Sequence, residues 1–257
     1  FFSAHESQLF PIPDEVSDGQ AVLSDPFSVS LHAILKAPPP PGGTAVVYGC
    51  GTLGLLSVAI LNALYPDCEV FVVARHPMQE ELAYQMGATH VMRTRDLVEI
   101  IETIAKRFDL RPERPPRGLP WLMGGVDTIY DTIGAPDTLE VGLRITRPRG
   151  SIVITGVSRS RRFEWTPHYF KEIALIGSNA FGIEDFEGER LHGYEIYFRL
   201  LQQNRLKLPQ LITHRYHLEQ YQEALLVAEN KDRHKAVKVV FDFQPYNNIQ
   251  LPLLQPG

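Results

Sequence analysis

The feature that most narrows what this chain can fold into is a strand-like run, a glycine cluster and an apolar stretch in direct succession. Thr44–Tyr48 is short and rich in β-branched residues, Gly49-Cys50-Gly51-Thr52-Leu53-Gly54 follows, and Leu53–Leu64 is apolar almost all round. That order predicts a buried parallel strand, a tight turn and a buried helix. In a G-x-G-x-x-G turn the first glycine (Gly49) permits the turn and the second (Gly51) lets a pyrophosphate approach the backbone. The third (Gly54) lets helix and strand pack closely. Amide groups and the helix dipole at such a helix start favour phosphate charge. A purely structural glycine turn is the competing reading; the flanking strand and helix favour a dinucleotide.

The end of the next strand bears on which dinucleotide. NAD binders carry an acidic residue roughly twenty positions beyond the glycines to hold the ribose hydroxyls. Here that count reaches Ala74, Arg75 and His76, with no carboxylate. An aspartate would repel a 2′-phosphate, whereas Arg75 can donate a charge-assisted hydrogen bond to one. NADP is therefore expected over NAD, with Arg75 and His76 as candidate contacts; Arg75 as a merely solvated surface residue is the alternative.

Further along, strands and helices alternate. Strands are expected at Glu69–Ala74, His90–Met92, Val126–Tyr130, Ser151–Val157 and Ile173–Gly177, and helices at Pro77–Met86 and Leu97–Phe108. This spacing argues for a doubly wound parallel sheet of the α/β class. Before it, helical spacing covers Asp18–Leu35, with Pro26 either starting a new helix or kinking one. Pro38–Gly43 is a stiff connector near a domain boundary. Arg111–Gly125, rich in proline and arginine, reads as a surface loop. After Glu189 come helical patterns at Tyr194–Gln203 and Leu218–Glu229, a strand at Ala236–Phe243 and a loose tail, Gln244–Gly257.

Composition excludes several classes. A net charge of −5 over 257 residues lacks the basic footprint of a nucleic-acid binder. The longest apolar stretch is too short to span a bilayer, and no signal peptide is recognisable at the start. Cys50 and Cys68 cannot build a disulfide framework, so a reducing, cytoplasmic setting is expected. Cys50 reads as a small buried residue more readily than as a reactive thiol.

Several ordered stretches resemble the medium-chain, zinc-type alcohol and polyol dehydrogenases. They are Asp25-Pro26-Phe27-Ser28-Val29-Ser30-Leu31-His32-Ala33, the glycine loop, Met86-Gly87-Ala88-Thr89, and Val126-Asp127 with Asp131-Thr132-Ile133-Gly134. Then come Arg147-Pro148-Arg149-Gly150, Thr155-Gly156-Val157, Ile176-Gly177-Ser178-Asn179, Leu211-Ile212-Thr213-His214 and Ala236-Val237-Lys238-Val239-Val240. Each is weak alone; their order and spacing together are specific.

The resemblance implies a Rossmann domain over residues 34–184, flanked by remnants of a discontinuous catalytic domain at 1–33 and 185–257. Most of the first catalytic part is expected to precede Phe1. It also implies backbone contacts to the cofactor from Thr52 and Leu53 and nicotinamide-ribose contacts from Thr132, Gly134, Gly156 and Val157. Ser178 and Asn179 are expected at the carboxamide, and Lys238 as a cation near the pyrophosphate. Asp25 corresponds to the last protein ligand of a catalytic zinc in the intact enzyme, although an aspartate before proline is also a common helix cap. His32 and His214 are expected to be structural, His214 within Leu211–His214, which matches a turn of the family. Arg149 replaces a glycine common in the family, and the 111–125 loop is longer than usual.

The implied activity is hydride transfer between NAD(P) and an alcohol or carbonyl substrate, with zinc assistance. A zinc-free quinone or enoyl reductase on the same fold, or a dinucleotide-binding module without catalysis, are the alternatives. A homodimer or homotetramer is expected, paired through the edge strand at Ile173–Gly177.

Overall fold

A computed structural model describes residues 3–157 and 164–243. The chain forms two compact units, Phe1–Pro209 and Gln210–Gly257. The expected tail Gln244–Gly257 lies outside the described residues.

The first unit opens with α1 (Asp18–Ala21) and α2 (Ser24–Lys36), so Pro26 sits in the first turn of a new helix instead of kinking one. Ser17 caps α1 through a reciprocal pair with Gln20. There follow β1 (Thr44–Tyr48), α3 (Thr52–Leu64), β2 (Glu69–Ala74), α4 (Pro77–Gln85), β3 (His90–Arg93) and α5 (Leu97–Arg107). Asp96 caps α5 by accepting from the amides of Val98 and Glu99. Beyond the 111–125 loop come β4 (Val126–Asp131), α6 (Pro136–Ile145), β5 (Thr146–Ile154), α7 (Thr166–Lys171) and β6 (Ala174–Gly177). A hairpin, β7 (Ile183–Phe186) and β8 (Glu189–His192), leads into α8 (Gly193–Gln202).

Strands β1 to β6 form one parallel sheet in the order β3-β2-β1-β4-β5-β6. That order reverses direction between β1 and β4, the switch point beside which doubly wound sheets bind ligands at their carboxyl ends. One side of the core joins Val46, Phe71, Val73, Ile100, Ile104, Ile129, Val141, Leu143 and Ile152. On the other side α2 packs on α3, where the Ser30 hydroxyl donates to the Leu53 carbonyl at 3.1 Å. Helix α8 packs on α2 in turn, with the Phe27 and Tyr197 rings 4.7 Å apart. The residues expected to belong to three domains, 1–33, 34–184 and the start of 185–257, therefore meet within this one unit.

The second unit holds β9 (Ile212–Tyr216), a short 3₁₀ turn at Leu218–Gln220, α9 (Tyr221–Glu229), α10 (Lys231–His234) and β10 (Lys238–Phe241). Strands β9 and β10 run parallel around a small core of Tyr216, Ala224, Val227 and Ala236.

Four readings need correction. Leu211–His214, read as a turn, is the start of a strand whose partner β10 lies more than twenty residues away, a pairing local spacing cannot reveal. The strand expected at Ser151–Val157 begins at Thr146 and ends at Ile154, because the amides of Thr155 and Gly156 turn to the Asp131 carbonyl. Helices α6 and α7 were not anticipated, nor was the β7–β8 hairpin, whose strands alternate charge with isolated apolar residues. Finally, Asp25 does not cap α2: the capping position is Leu23, with no side-chain bond.

Candidate dinucleotide site

Most of the expected cofactor residues converge at the carboxyl ends of β1, β2, β4, β5 and β6. Gly49 follows β1 with φ +101, and a Cβ on Gly54 would stand 1.9 Å from the Gly49 carbonyl oxygen. Only glycine allows α3 to start this close to the strand. Gly51 caps α3 with its backbone alone, and a Cβ there would meet nothing within 4 Å. The start of the thirteen-residue helix α3, carrying Thr52 and Leu53, therefore borders an open cradle. Cys50 turns the other way: its thiol is buried, donates to the Gln79 carbonyl at 3.2 Å, and is pushed up to about 12 by burial. The inert reading of Cys50 holds.

The loop after β4 is built on Asp131. Its buried carboxylate accepts from the amides of Ile133 at 3.0 Å and Gly134 at 2.9 Å, and from the Thr138 hydroxyl at 2.6 Å. Burial pushes its pKa up, while these three donors stabilise the ionised form and pull it back. The next residue, Thr132, donates from both amide and hydroxyl to the Tyr48 carbonyl, each at 3.0 Å, tying this loop to the glycine turn. Gly134, with φ +68, approaches the next loop so closely that a Cβ would lie 1.8 Å from the Gly156 oxygen. Val157 beside it is 95% exposed.

At the end of β6, the Ser178 amide donates to the Ile154 carbonyl at 2.9 Å. Its hydroxyl is buried and has no hydrogen-bond partner among the described residues. Buried hydroxyls without partners are uncommon and ask for an explanation such as an absent ligand. Asn179 beside it is exposed. At the end of β2, Gln79 takes both the Arg75 amide, at 3.0 Å, and the His76 amide, at 3.2 Å, on its side-chain oxygen. That bracket fixes the start of α4 and leaves the Arg75 side chain exposed, with no carboxylate at the strand end.

Lys238 is half-buried in β10 of the second unit. Asp25 is exposed in the first turn of α2, where the Tyr194 hydroxyl donates to its carboxylate at 3.5 Å. Burial and the Asp25 charge push the Tyr194 phenol up. His32 is held by Glu184 at 2.6 Å, and His214 bonds Thr213 at 2.9 Å, in keeping with structural roles for both.

Sequence reasoning missed Asp131 and Gln79 as organisers of the site. Asp131 stood within a recognised stretch, and its spacing of three from Gly134 and seven from Thr138 is the signal that was available.

Comparison with known proteins places these features in a family. The zinc-binding dehydrogenase family model matches residues 52–191, more than half of the chain. The chain belongs to the zinc-binding dehydrogenase family. Among individual relatives, it is 28% identical over 227 residues to the sorbitol dehydrogenase of Bacillus subtilis, covering 88% of this chain and 58% of that protein. It is 24% identical over 254 residues to a D-xylulose reductase of Saccharomyces cerevisiae, covering 97% and 62%. An E. coli CFT073 alcohol dehydrogenase solved with NADH shares the fold at TM-score 0.73 and 23% identity, over 91% of this chain and 62% of that one. The chain thus spans about three fifths of the length of these relatives.

The two cofactors of such a family can be tested against the residues present. The open cradle at Gly51 and the orphaned Ser178 hydroxyl fit a dinucleotide lying across the carboxyl edge of the sheet. Zinc does not fit in the same way. Tetrahedral zinc takes at least three protein ligands, and no cluster of three His, Cys, Asp or Glu exists among the described residues.

Proposed function

We propose that this chain binds a nicotinamide dinucleotide, NADP in preference to NAD, for hydride transfer to or from an alcohol or carbonyl of the polyol class. The observation that carries the reading is the glycine cradle at the switch point, together with a buried serine hydroxyl that lacks a partner at the far end of the same edge.

The start of α3 receives the pyrophosphate, with Thr52 and Leu53 contributing backbone amides and Gly51 giving it room. Arg75, unopposed by any carboxylate at the end of β2, pairs with the 2′-phosphate. Asp131 does not touch the cofactor; it holds the 132–134 loop so that Thr132, Gly134, Gly156 and Val157 line the ribose. Ser178 and Asn179 sit where the carboxamide would be held, which decides the ring face presented. The bound nicotinamide supplies or takes up the hydride. Asp25 is proposed as a single ligand to a catalytic metal, and no step is derived through that metal.

Assembly and location follow the same logic. β6 is an edge strand, and the exposed Tyr169 and Phe170 of α7 stand just before it. Unpaired edges next to apolar surface favour pairing with a second chain, so we propose a homodimer, or a tetramer built from two dimers. Sedimentation at micromolar protein tests this, and a monomer throughout would refute it. No helix among the described residues is long and apolar enough to cross a membrane; a cytoplasmic location remains part of the proposal.

The deciding experiment is a fluorescence titration with NADPH and with NADH. Tighter binding of NADPH, lost in Arg75→Asp, supports both the site and the preference. Equal binding of both keeps the site and returns Arg75 to the surface. Binding of neither overturns the proposal.

A further inference from the structure

The end of the 111–125 loop takes no part in the site above, yet it is firmly held where it leads into β4. Pro120 and Leu122 are buried, and the Leu122 amide donates to the Arg144 carbonyl at 3.1 Å. The buried Lys171 ammonium, at the end of α7, donates to the carbonyls of Leu122, Arg144 and Thr146 at 3.1, 3.0 and 2.5 Å. The Arg144 guanidinium adds a bond to the Leu119 carbonyl at 3.3 Å. These two buried cations join the loop, the junction of α6 with β5, and α7 into one corner of the amino end.

What this corner shows to solvent is apolar. The half-buried Trp121 ring lies 6.2 Å from that of Phe170, which lies 5.4 Å from that of Tyr169. Phe170 is 62% exposed, Tyr169 77%, and Met123, two residues beyond Trp121, 54%. Clustered exposed rings of this kind mark association surfaces, where aromatic residues and methionine are enriched. The corner also runs straight into the sheet edge, since only Glu172 and Ile173 separate Lys171 from β6. A four-residue strand is about 13 Å long, too little to bury by itself the roughly 800 Å² per partner of a stable complex. An aromatic side chain brings about 150–250 Å² when fully buried, so the rings beside the edge supply area that the edge lacks.

We infer that Trp121 and Met123 of the loop belong, with Tyr169 and Phe170 of α7, to a self-complementary patch through which a second copy of this chain docks. The inference rests on the homodimer proposed above and adds the loop to its contact surface. In a two-fold pair the same patch serves both subunits, so an apolar cluster meets an apolar cluster and no opposite charge is required. Lys171 and Arg144 hold the loop end before association, which lowers the ordering cost of binding.

Sedimentation equilibrium of the whole chain across micromolar concentrations tests it. The parent should be dimeric and Phe170→Asp monomeric. Trp121→Ala should raise the dimer dissociation constant about tenfold or more, as truncating an interface aromatic does, and Met123→Glu should do the same. Trp121 also packs within its own subunit, so a second measurement leaves it in place. In Trp165→Phe, Trp121 is the sole tryptophan, and quenching of its fluorescence by acrylamide should fall as concentration drives monomer to dimer. A monomeric parent removes the homodimer and the inference together. A dimer that Phe170→Asp dissociates, but that survives both loop substitutions with quenching independent of concentration, keeps the homodimer and overturns the inference.

Discussion

The two ends of the six-stranded sheet handle polar groups in opposite ways. At the amino end the buried charges are spent internally. Lys171, 0% exposed, donates to the carbonyls of Leu122, Arg144 and Thr146, three acceptors for the three protons of an ammonium. Asp127 close by takes the Thr44 amide and hydroxyl, each at 2.8 Å, and pairs with Arg147 at 2.5 Å. At the carboxyl end, one carboxylate, Asp131, is consumed in shaping a loop. The Ser178 hydroxyl is buried and has no partner among the described residues. The amino end is finished by folding; the carboxyl end has hydrogen-bonding capacity to offer a ligand. Unsatisfied capacity in a buried setting, more than the number of polar residues, separates a binding edge from a structural one.

That contrast can be broken most severely at Gly54. Gly54→Val would drive a side chain into the Gly49 carbonyl, so binding of NADPH should become undetectable by fluorescence titration, a loss of about a hundredfold or more. Retained binding would mean that the glycine turn is not the cradle.

The opposite end should respond in stability instead. Lys171→Met removes the donor from three carbonyls, of which that of Arg144 keeps the Leu122 amide, so at about 1 kcal/mol for each of the other two denaturant unfolding should show a loss of about 2 kcal/mol with NADPH affinity unchanged. Burial pushes the Lys171 amine down to about 7. Its folded pKa lies below its unfolded value, so above pH 7 the unfolded chain binds more protons and stability rises with pH. Melting temperatures measured from pH 7 to 9 should climb for the parent chain and flatten in Lys171→Met. An equal slope in both would remove Lys171 as the source.

Smaller effects sharpen the picture at the binding edge. Arg75→Asp should weaken NADPH about tenfold and spare NADH, as judged by the ratio of the two dissociation constants. Ser178→Ala is the subtlest and most diagnostic change. Removing an orphaned buried hydroxyl should raise the melting temperature of the free chain by about 2 °C. The same change should weaken cofactor binding about threefold, one ordinary hydrogen bond. A destabilised free chain would show that Ser178 has a structural partner and no vacancy for a ligand.

Arg149 shows how far a sequence can warn of strain without explaining it. It was singled out because glycine is common there, and the structure gives it φ +59, in the left-handed region that favours glycine. Its guanidinium reaches Glu172 at 2.8 Å, on the exposed surface, where such a pair contributes little.

The sequence by itself determined the parallel sheet, its glycine turn and the missing carboxylate after β2. These follow from local periodicity and residue type, which act over a few positions and can be read from neighbours alone. Tertiary structure alone decided that Asp131 holds the 132–134 loop, that Ser178 is buried without a partner, and that Lys171 closes the amino end. It also decided that Leu211–His214 leads into a strand. Each depends on groups distant in the chain meeting at one point, and hydrogen-bond satisfaction is a property of that meeting, invisible until the chain has folded.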